Sequence, residues 1–244
     1  MLVKQKLKYI QTLGQKKFRQ QEGVFIAEGP KLVKDLLEAD ASSVKEIFAV
    51  KEWIDEHQQL PAKTAVTEIT EIELEKISQL ATPNKVVAIV QQYETADTFI
   101  VKEKIVLALD CLQDPGNMGT IIRIADWFGI EQIVCSNDSA DLYNPKVVQA
   151  TMGSIARVKV HYLDLEEWLT DQQDVPIYAT SLAGEDINTL KKIKEGIFLF
   201  GNESKGISPE LLKLSNIRIT IPKKGKAESL NVAVAVGIVL GCVI

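Results

Sequence analysis

Apolar residues in the first part of the chain recur at two spacings, and those spacings mark out the elements. Lys4 to Leu13 sets Leu7, Ile10 and Leu13 on one face of a basic helix. Val24 to Ala27 is a short apolar run, and Glu28-Gly29-Pro30 turns it into a helix striped by Leu32, Val33, Leu36 and Leu37. Val44 to Val50 predicts a strand, Trp53 the middle of a helix, and Ala65-Val66 another short strand. Thr70-Glu71-Ile72-Glu73 matches a capping box, in which the threonine and the glutamate each satisfy a free backbone N–H at a helix start. Val86 to Val90 completes a small α/β unit.

From Gln91 to Lys104 the periodicity is lost and charge rises, which predicts a domain boundary and a division into residues 1–98 and 99–244. Beyond it, Ile105 to Leu109 reads as a buried strand, Asp110 to Asn117 as a loop, and Met118 to Phe128 as a helix capped by Gly129. Strands at Gln132 to Cys135, Ala156 to Val160 and Ile177 to Thr180 alternate with helices beginning at Pro145 and near Asp164. Such alternation predicts an α/β domain with a mostly parallel sheet covered on both faces. Two more strands, Ile197 to Phe200 and Ile217 to Ile221, each run into a loop of glycine and polar residues, and Ser229 and Asn231 open a long apolar helix. Two strand ends and a helix start brought together in this way are where an α/β sheet usually holds its ligand.

Composition narrows the classes. With 46% hydrophobic and 25% charged residues over 244 positions, the chain reads as folded and soluble. No basic, apolar and small-residue order opens it, and the apolar run Val232 to Ile244 is shorter than the ~20 residues that span a bilayer, so a cytoplasmic protein with no membrane partner is expected. The three cysteines, Cys111, Cys135 and Cys242, have no CxxC spacing and lie in or beside apolar runs. Buried packing is expected for them, and solvated or satisfied side chains for His57 and His161, with no metal site. Net charge is −5, but residues 1–20 and 211–227 carry basic side chains and no acid. Local contact with a polyanion and plain solvation both fit such islands.

Two common signatures are missing. Ile207 follows Gly206 where a phosphate-binding loop needs lysine, and Gly116 and Gly119 lack the leading glycine of a dinucleotide fingerprint. Asn117-x-Gly119-x-x-x-Arg123 is more informative, because it places an arginine in a helix otherwise lined by Ile121, Ile122 and Ala125. Such a guanidinium requires a carboxylate, a phosphate or another subunit.

Taken together, DPGNMGTIIRIADWFG, IFLFGNESKGIS and ITIPKKGKAESLNVAVAVGI resemble, in order and spacing, the three signature motifs of the SpoU-type RNA ribose methyltransferases of the SPOUT class, over about residues 105–244. VFIAEGPKLVKDLL is similar to the small N-terminal substrate-binding domain of that family, itself related to ribosomal RNA-binding proteins. The resemblance implies a parallel sheet whose C-terminal segment is threaded as a trefoil knot, a rarity among folds. It also implies a homodimer with the first-motif helix at the interface, and ribosomal or transfer RNA as substrate. S-adenosyl-L-methionine would lie in the knot with no metal. Thr180 and Gly201 would border it, Ile221 and Leu230 would contact it, and Ser229 and Asn231 would hydrogen-bond to it. Asn117, Arg123, Glu203, Ser229 and Asn231 would form the catalytic set. Arg123, from the partner subunit, would serve either as base or as the cation on a phosphate and a developing alkoxide, with Glu203 holding Arg123 or Asn117. Ile124 and Trp127 depart from the family pattern at positions that bear on helix packing at the dimer interface. The alternatives are a non-catalytic RNA-binding protein that kept the fold, and a SPOUT enzyme that methylates a base.

Overall fold

The computed structural model describes residues 2–57, 60, 64–94, 100–172 and 174–244. The boundary expected at residues 98 and 99 lies outside the described residues. Two compact units are present, one drawn from Met1–Glu94 together with Asp141–Arg157, the other from Thr95–Ala140 and Val158–Ile244.

The first unit opens with α1 (Lys4–Thr12) and α2 (Lys16–Glu22), followed by β1 (Val24–Glu28), α3 (Pro30–Asp40), β2 (Val44–Ala49), α4 (Lys51–Glu56), β3 (Ala65–Glu68), α5 (Glu71–Ile77) and β4 (Val86–Gln91). Its four-stranded sheet has the order β1-β4-β2-β3, with β4 antiparallel to both neighbours and β3 parallel to β2. Every residue of β1 is buried, as are Val86 to Val90 of β4, so an unbroken apolar run here reports a strand covered on both faces. The capping box forms as the spacing predicts. Thr70 Oγ1 accepts from the Glu73 N–H at 3.3 Å, and Glu73 Oε2 accepts from the Thr70 N–H at 3.0 Å.

The segment Asp141–Arg157 belongs to this first unit, although the sequence-based division groups it with the second half. It contains α7 (Pro145–Thr151), which packs on β1. Arg19, 2% exposed, donates from Nη2 to Asp141 at 2.6 Å and from Nη1 to the carbonyls of Leu13 and Gly14. The Tyr143 ring stacks on Phe25 with centroids 5.0 Å apart, and its hydroxyl accepts from the Tyr93 N–H. Burial pushes the Tyr143 hydroxyl up to about 12. These ties link residues far apart in sequence, which local patterning cannot show.

The second unit contains β5 (Ile105–Leu109), α6 (Pro115–Trp127), β6 (Gln132–Ser136), β7 (Lys159–Leu163), α8 (Leu165–Thr170), β8 (Ile177–Asp186), β9 (Gly196–Phe200), α9 (Pro209–Leu214), β10 (Ile217–Thr220) and α10 (Val232–Val243). Its six strands run in the order β10-β8-β9-β5-β6-β7, and every pairing is parallel. The residues expected as a strand at Ala156 to Val160 divide instead between a short 3-10 turn (Ser154–Ala156) and β7. Helix α6 begins at Pro115, earlier than periodicity alone suggests. Proline fits the first helical position, and Asp114 caps the end by accepting from the Asn117 N–H at 2.7 Å. Cys135 is buried, and burial drives its thiol pKa far up, whereas Cys111 and Cys242 are only half-buried, contrary to the expectation of buried packing for all three.

Replacing Thr70 with alanine removes the acceptor of the α5 cap. We expect a loss of about 1 kcal/mol, read as a lower urea midpoint at unchanged slope.

Candidate functional site

In a parallel sheet every strand points its carboxyl end to the same edge, and ligands bind there where the strand order reverses. From β5 the chain proceeds through β6 to β7 on one side, while β9, β8 and β10 lie on the other. The reversal therefore falls between β5 and β9, whose ends lead into Asp110–Asn117 and Gly201–Gly206. Several bonds join these two loops. The Asp110 N–H donates to the Phe200 carbonyl at 2.9 Å, the Ser208 N–H donates to Asp110 Oδ2 at 2.7 Å, and Asn202 Nδ2 donates to the Cys111 carbonyl at 2.8 Å.

The Gly201–Gly206 loop is closed by its own backbone. Asn202 and Gly206 exchange N–H···O bonds of 3.0 and 2.9 Å, and Asn202 Oδ1 accepts from the N–H groups of Ser204 and Lys205. A Cβ on Gly201 would stand 2.1 Å from the Gly206 carbonyl carbon, so no side chain fits. This loop presents Glu203, whose Oε1 accepts from Asn117 Nδ2 at 3.0 Å. Asn117 Oδ1 in turn accepts from Asn231 Nδ2 at 2.9 Å. Asn231 is the N-cap of α10, and its Oδ1 accepts from the N–H groups of Ala233 and Val234 at 3.0 and 3.2 Å.

That cap sets the direction of the whole row. An amide offers one acceptor oxygen and one donor nitrogen. With the Asn231 oxygen on the helix end, its nitrogen must face Asn117, which must then receive with oxygen and donate onward to the Glu203 carboxylate. Three of the predicted residues, one from each motif, thus form one directed chain. Arg123 is not in it. Its guanidinium is exposed and makes no hydrogen bond or ion pair among the described residues, and within this chain Glu203 holds Asn117.

The remaining predicted residues lie around this chain. Thr180 Oγ1 donates to the Leu199 carbonyl at 3.0 Å, beside the strand that ends at Gly201. Just past it, the register of β8 against β10 jumps from Ala179↔Arg218 to Glu185↔Ile219, so Thr180–Gly184 bulges out and leaves Leu182 82% exposed. Ile221, Ser229 and Leu230 lie on the segment between β10 and α10, where Pro222 to Asn231 are all exposed. Among the described residues, 223–230 make no backbone–backbone hydrogen bond, and Leu230 remains 49% exposed among them. Lys223, Lys224 and Lys226 share this segment.

Residues outside the predicted set also shape the site. Cys111 adopts φ +53°, a conformation unusual for a residue with a side chain. Its N–H donates to Ser136 Oγ at 2.8 Å, and a hydrogen bond to the Asp138 carboxylate, followed by partial burial, pushes its thiol pKa up. Asp114 was legible as an N-cap before Pro-Gly. Asn202 and Cys111 had no comparable signal, because their partners are 91 positions apart. Among the described residues no cluster of His, Cys, Asp and Glu that could hold a metal ion is found.

The parallel sheet of this α/β domain brings the three motifs together at one edge. The chain belongs to the SpoU rRNA methylase family, whose model matches residues 104–241, and an MRM3-like substrate binding domain matches residues 4–88. A relative from Bacillus subtilis, 23S rRNA (guanosine(2553)-2′-O)-methyltransferase RlmP, is 30% identical over 239 residues, covering 97% of this chain and 94% of its own. An AdoMet-bound rRNA methyltransferase from Sinorhizobium meliloti is 33% identical with a TM-score of 0.85, covering 100% of this chain and 95% of its own. A TrmH-family protein from Porphyromonas gingivalis is 35% identical with a TM-score of 0.88, covering 99% of this chain and 98% of its own. The family resemblance carried by the three motifs is thereby borne out.

Gly201→Ala forces a methyl group into backbone that cannot yield cheaply. We expect a loss of about 1–3 kcal/mol in chemical denaturation, accompanied by loss of the amide protection that the Asn202–Gly206 pairing provides in hydrogen exchange.

Proposed function

We propose that this protein is an S-adenosylmethionine-dependent RNA methyltransferase that transfers a methyl group to a ribose 2′-OH of ribosomal RNA. The observation that carries this reading is the directed chain Asn231–Asn117–Glu203, which joins all three motifs at the sheet's reversal point. The RNA-modifying relatives support the choice of substrate.

The residues present fit the cofactor. The unpaired N–H and C=O groups of residues 223–230 can bind an adenosine's polar edge, and exposed Leu230 and half-buried Ile221 supply apolar surface for its ring. Thr180 and Gly201 would border it, and Ser229 and Asn231 would contribute hydrogen bonds. S-adenosylmethionine supplies a methyl group already activated on a sulfonium, so the protein's task is to place the acceptor and manage its proton.

Asn117 and Asn231, held one way round, would orient the ribose. Arg123, whose guanidinium is exposed and meets no carboxylate among the described residues, suits the phosphate beside the ribose and the alkoxide forming at the 2′ oxygen better than it suits proton removal, because a guanidinium is a poor base. Lys223, Lys224 and Lys226 would hold the RNA backbone at the rim.

A homodimer completes the proposal. Helices α6 and α10 pack together, and they leave Trp127 84%, Val234 51% and Ile238 36% exposed, an apolar face suited to a second copy. Arg123 lies four residues before Trp127 on the same side of α6, so this face would carry it toward the partner's sheet edge. We further propose the C-terminal trefoil knot, the working division into residues 1–98 for RNA binding and 99–244 for methyl transfer, and the cytoplasm as the place of action. No helix among the described residues is long and apolar enough to cross a membrane.

With deproteinised bacterial 23S rRNA and labelled cofactor, Arg123→Ala should reduce methyl transfer at least ~100-fold while calorimetric cofactor binding persists. Nuclease digestion should yield 2′-O-methylated nucleosides. A wild-type protein that binds the cofactor yet labels no RNA would count against the reading, and a methylated base would redirect it. Asn231→Asp keeps a capping oxygen but has no donor for Asn117, so activity should fall at near-normal stability. If Arg123 acts across the dimer, co-expressing the two variants should restore about a quarter of wild-type activity, because half the dimers are mixed and each mixed dimer holds one intact site.

A further inference from the structure

Of the six basic residues that precede the first acid, Glu22, two have structural partners. Lys6 pairs with Glu46 at 2.5 Å, and Arg19 is buried against Asp141. Lys4, Lys8, Lys16 and Lys17 are exposed and make no hydrogen bond or ion pair among the described residues. Their positions oppose helix stability. Lys4 opens α1, and Lys16 and Lys17 open α2, with no acidic residue in either first turn. The amino end of a helix disfavours positive charge and favours Asp or Glu. Four cations placed against local helix preference, without a counter-charge among the described residues, suit contact with a polyanion.

These cations are not carried on a loose tail. Ile10 and Leu13 beneath them are fully buried, Gln11 donates to the Lys76 carbonyl at 2.8 Å, and Arg19 ties α2 to the carbonyls of Leu13 and Gly14. Exposed Gln5 and Gln15 add amide groups that can donate and accept, while Tyr9 and Phe18 are half-buried.

We infer that the α1–α2 face is a docking surface for the RNA phosphodiester backbone, with Lys4, Lys8, Lys16 and Lys17 on the phosphates. It rests on the RNA-methyltransferase reading, and it goes further by giving this face a positioning role that is blind to base identity. The face grips the RNA and the sheet edge of the second unit selects the nucleotide.

The test uses the full chain with deproteinised bacterial 23S rRNA, measuring affinity from about 50 to about 200 mM salt. The variant replaces Lys4, Lys8, Lys16 and Lys17 with glutamine, and a Lys16→Gln, Lys17→Gln pair serves as a milder form. A control removes Lys34, Lys85 and Lys104, each of which is ion-paired. The expected result is a log–log salt slope shallower by about 0.7 per patch lysine removed and RNA binding at least about tenfold weaker. The KM for RNA should rise with kcat, cofactor affinity and the modified nucleotide unchanged, and the control should change little. Unaltered RNA affinity and slope, or an equal change per charge in the control, would overturn the inference. A shallower slope in a protein that methylates no ribose would instead sink the enzymatic reading and leave this surface standing.

Discussion

The end of helix α10 needs an acceptor for its first free N–H groups, and one side-chain oxygen, that of Asn231, supplies it. Much of the site follows from that commitment. With the oxygen engaged, the Asn231 nitrogen can only donate, Asn117 can only receive it with oxygen, and Glu203 can only be the acceptor at the far end. A helix cap worth about 1 kcal/mol thereby orients three polar groups contributed by three distant stretches of chain. Orientation of this kind is what a reaction with an activated methyl donor requires, since the protein has little to contribute beyond alignment and charge.

The same logic explains why the surrounding loops are rigid on one side and open on the other. Asn202 binds the backbone of its own loop and the Cys111 carbonyl, so Glu203 is presented from a closed turn. Gly201 allows that turn to close because there is no room for a side chain. Residues 223–230, by contrast, make no backbone bonds and keep Leu230 in solvent. Solvated backbone beside an exposed apolar side chain offers polar and apolar contacts together, which suits a ligand that uses both.

Most strands of both sheets were legible, because apolar runs bounded by glycine, proline and polar residues have few other readings. The capping box at Thr70 and the N-cap at Asn231 were legible for a similar reason, since their partners lie within three residues. Two misses were local, the Asp114 cap that starts α6 at Pro115 and the 3-10 turn ahead of β7. The others were set by tertiary approach. Membership of Asp141–Arg157 in the first unit depends on Arg19, Phe25 and Tyr93, whose spacing from it follows no local pattern. In the site, the motifs left open whether Glu203 held Arg123 or Asn117. Amide geometry resolves that choice, and geometry of this kind is not written in spacing.

Arg123 left without a carboxylate is the consequence with the widest reach. Had Glu203 paired with it, the guanidinium would have been neutralised within its own subunit and the Asn117 amide released from its fixed direction. Because Glu203 accepts from Asn117 instead, the Asn117 amide is fixed in direction while the Arg123 guanidinium stays exposed on the same helix. Trp127, 84% exposed four residues after Arg123 on the same helix, is the feature of this helix face that a monomer in water does not explain. In the proposed dimer, a second copy covering that face would bring the cation toward the partner's sheet edge. Dimerisation would then supply a catalytic charge as well as burying apolar surface, and a separated subunit would retain the means to bind the methyl donor while lacking the group that stabilises the attacking oxygen.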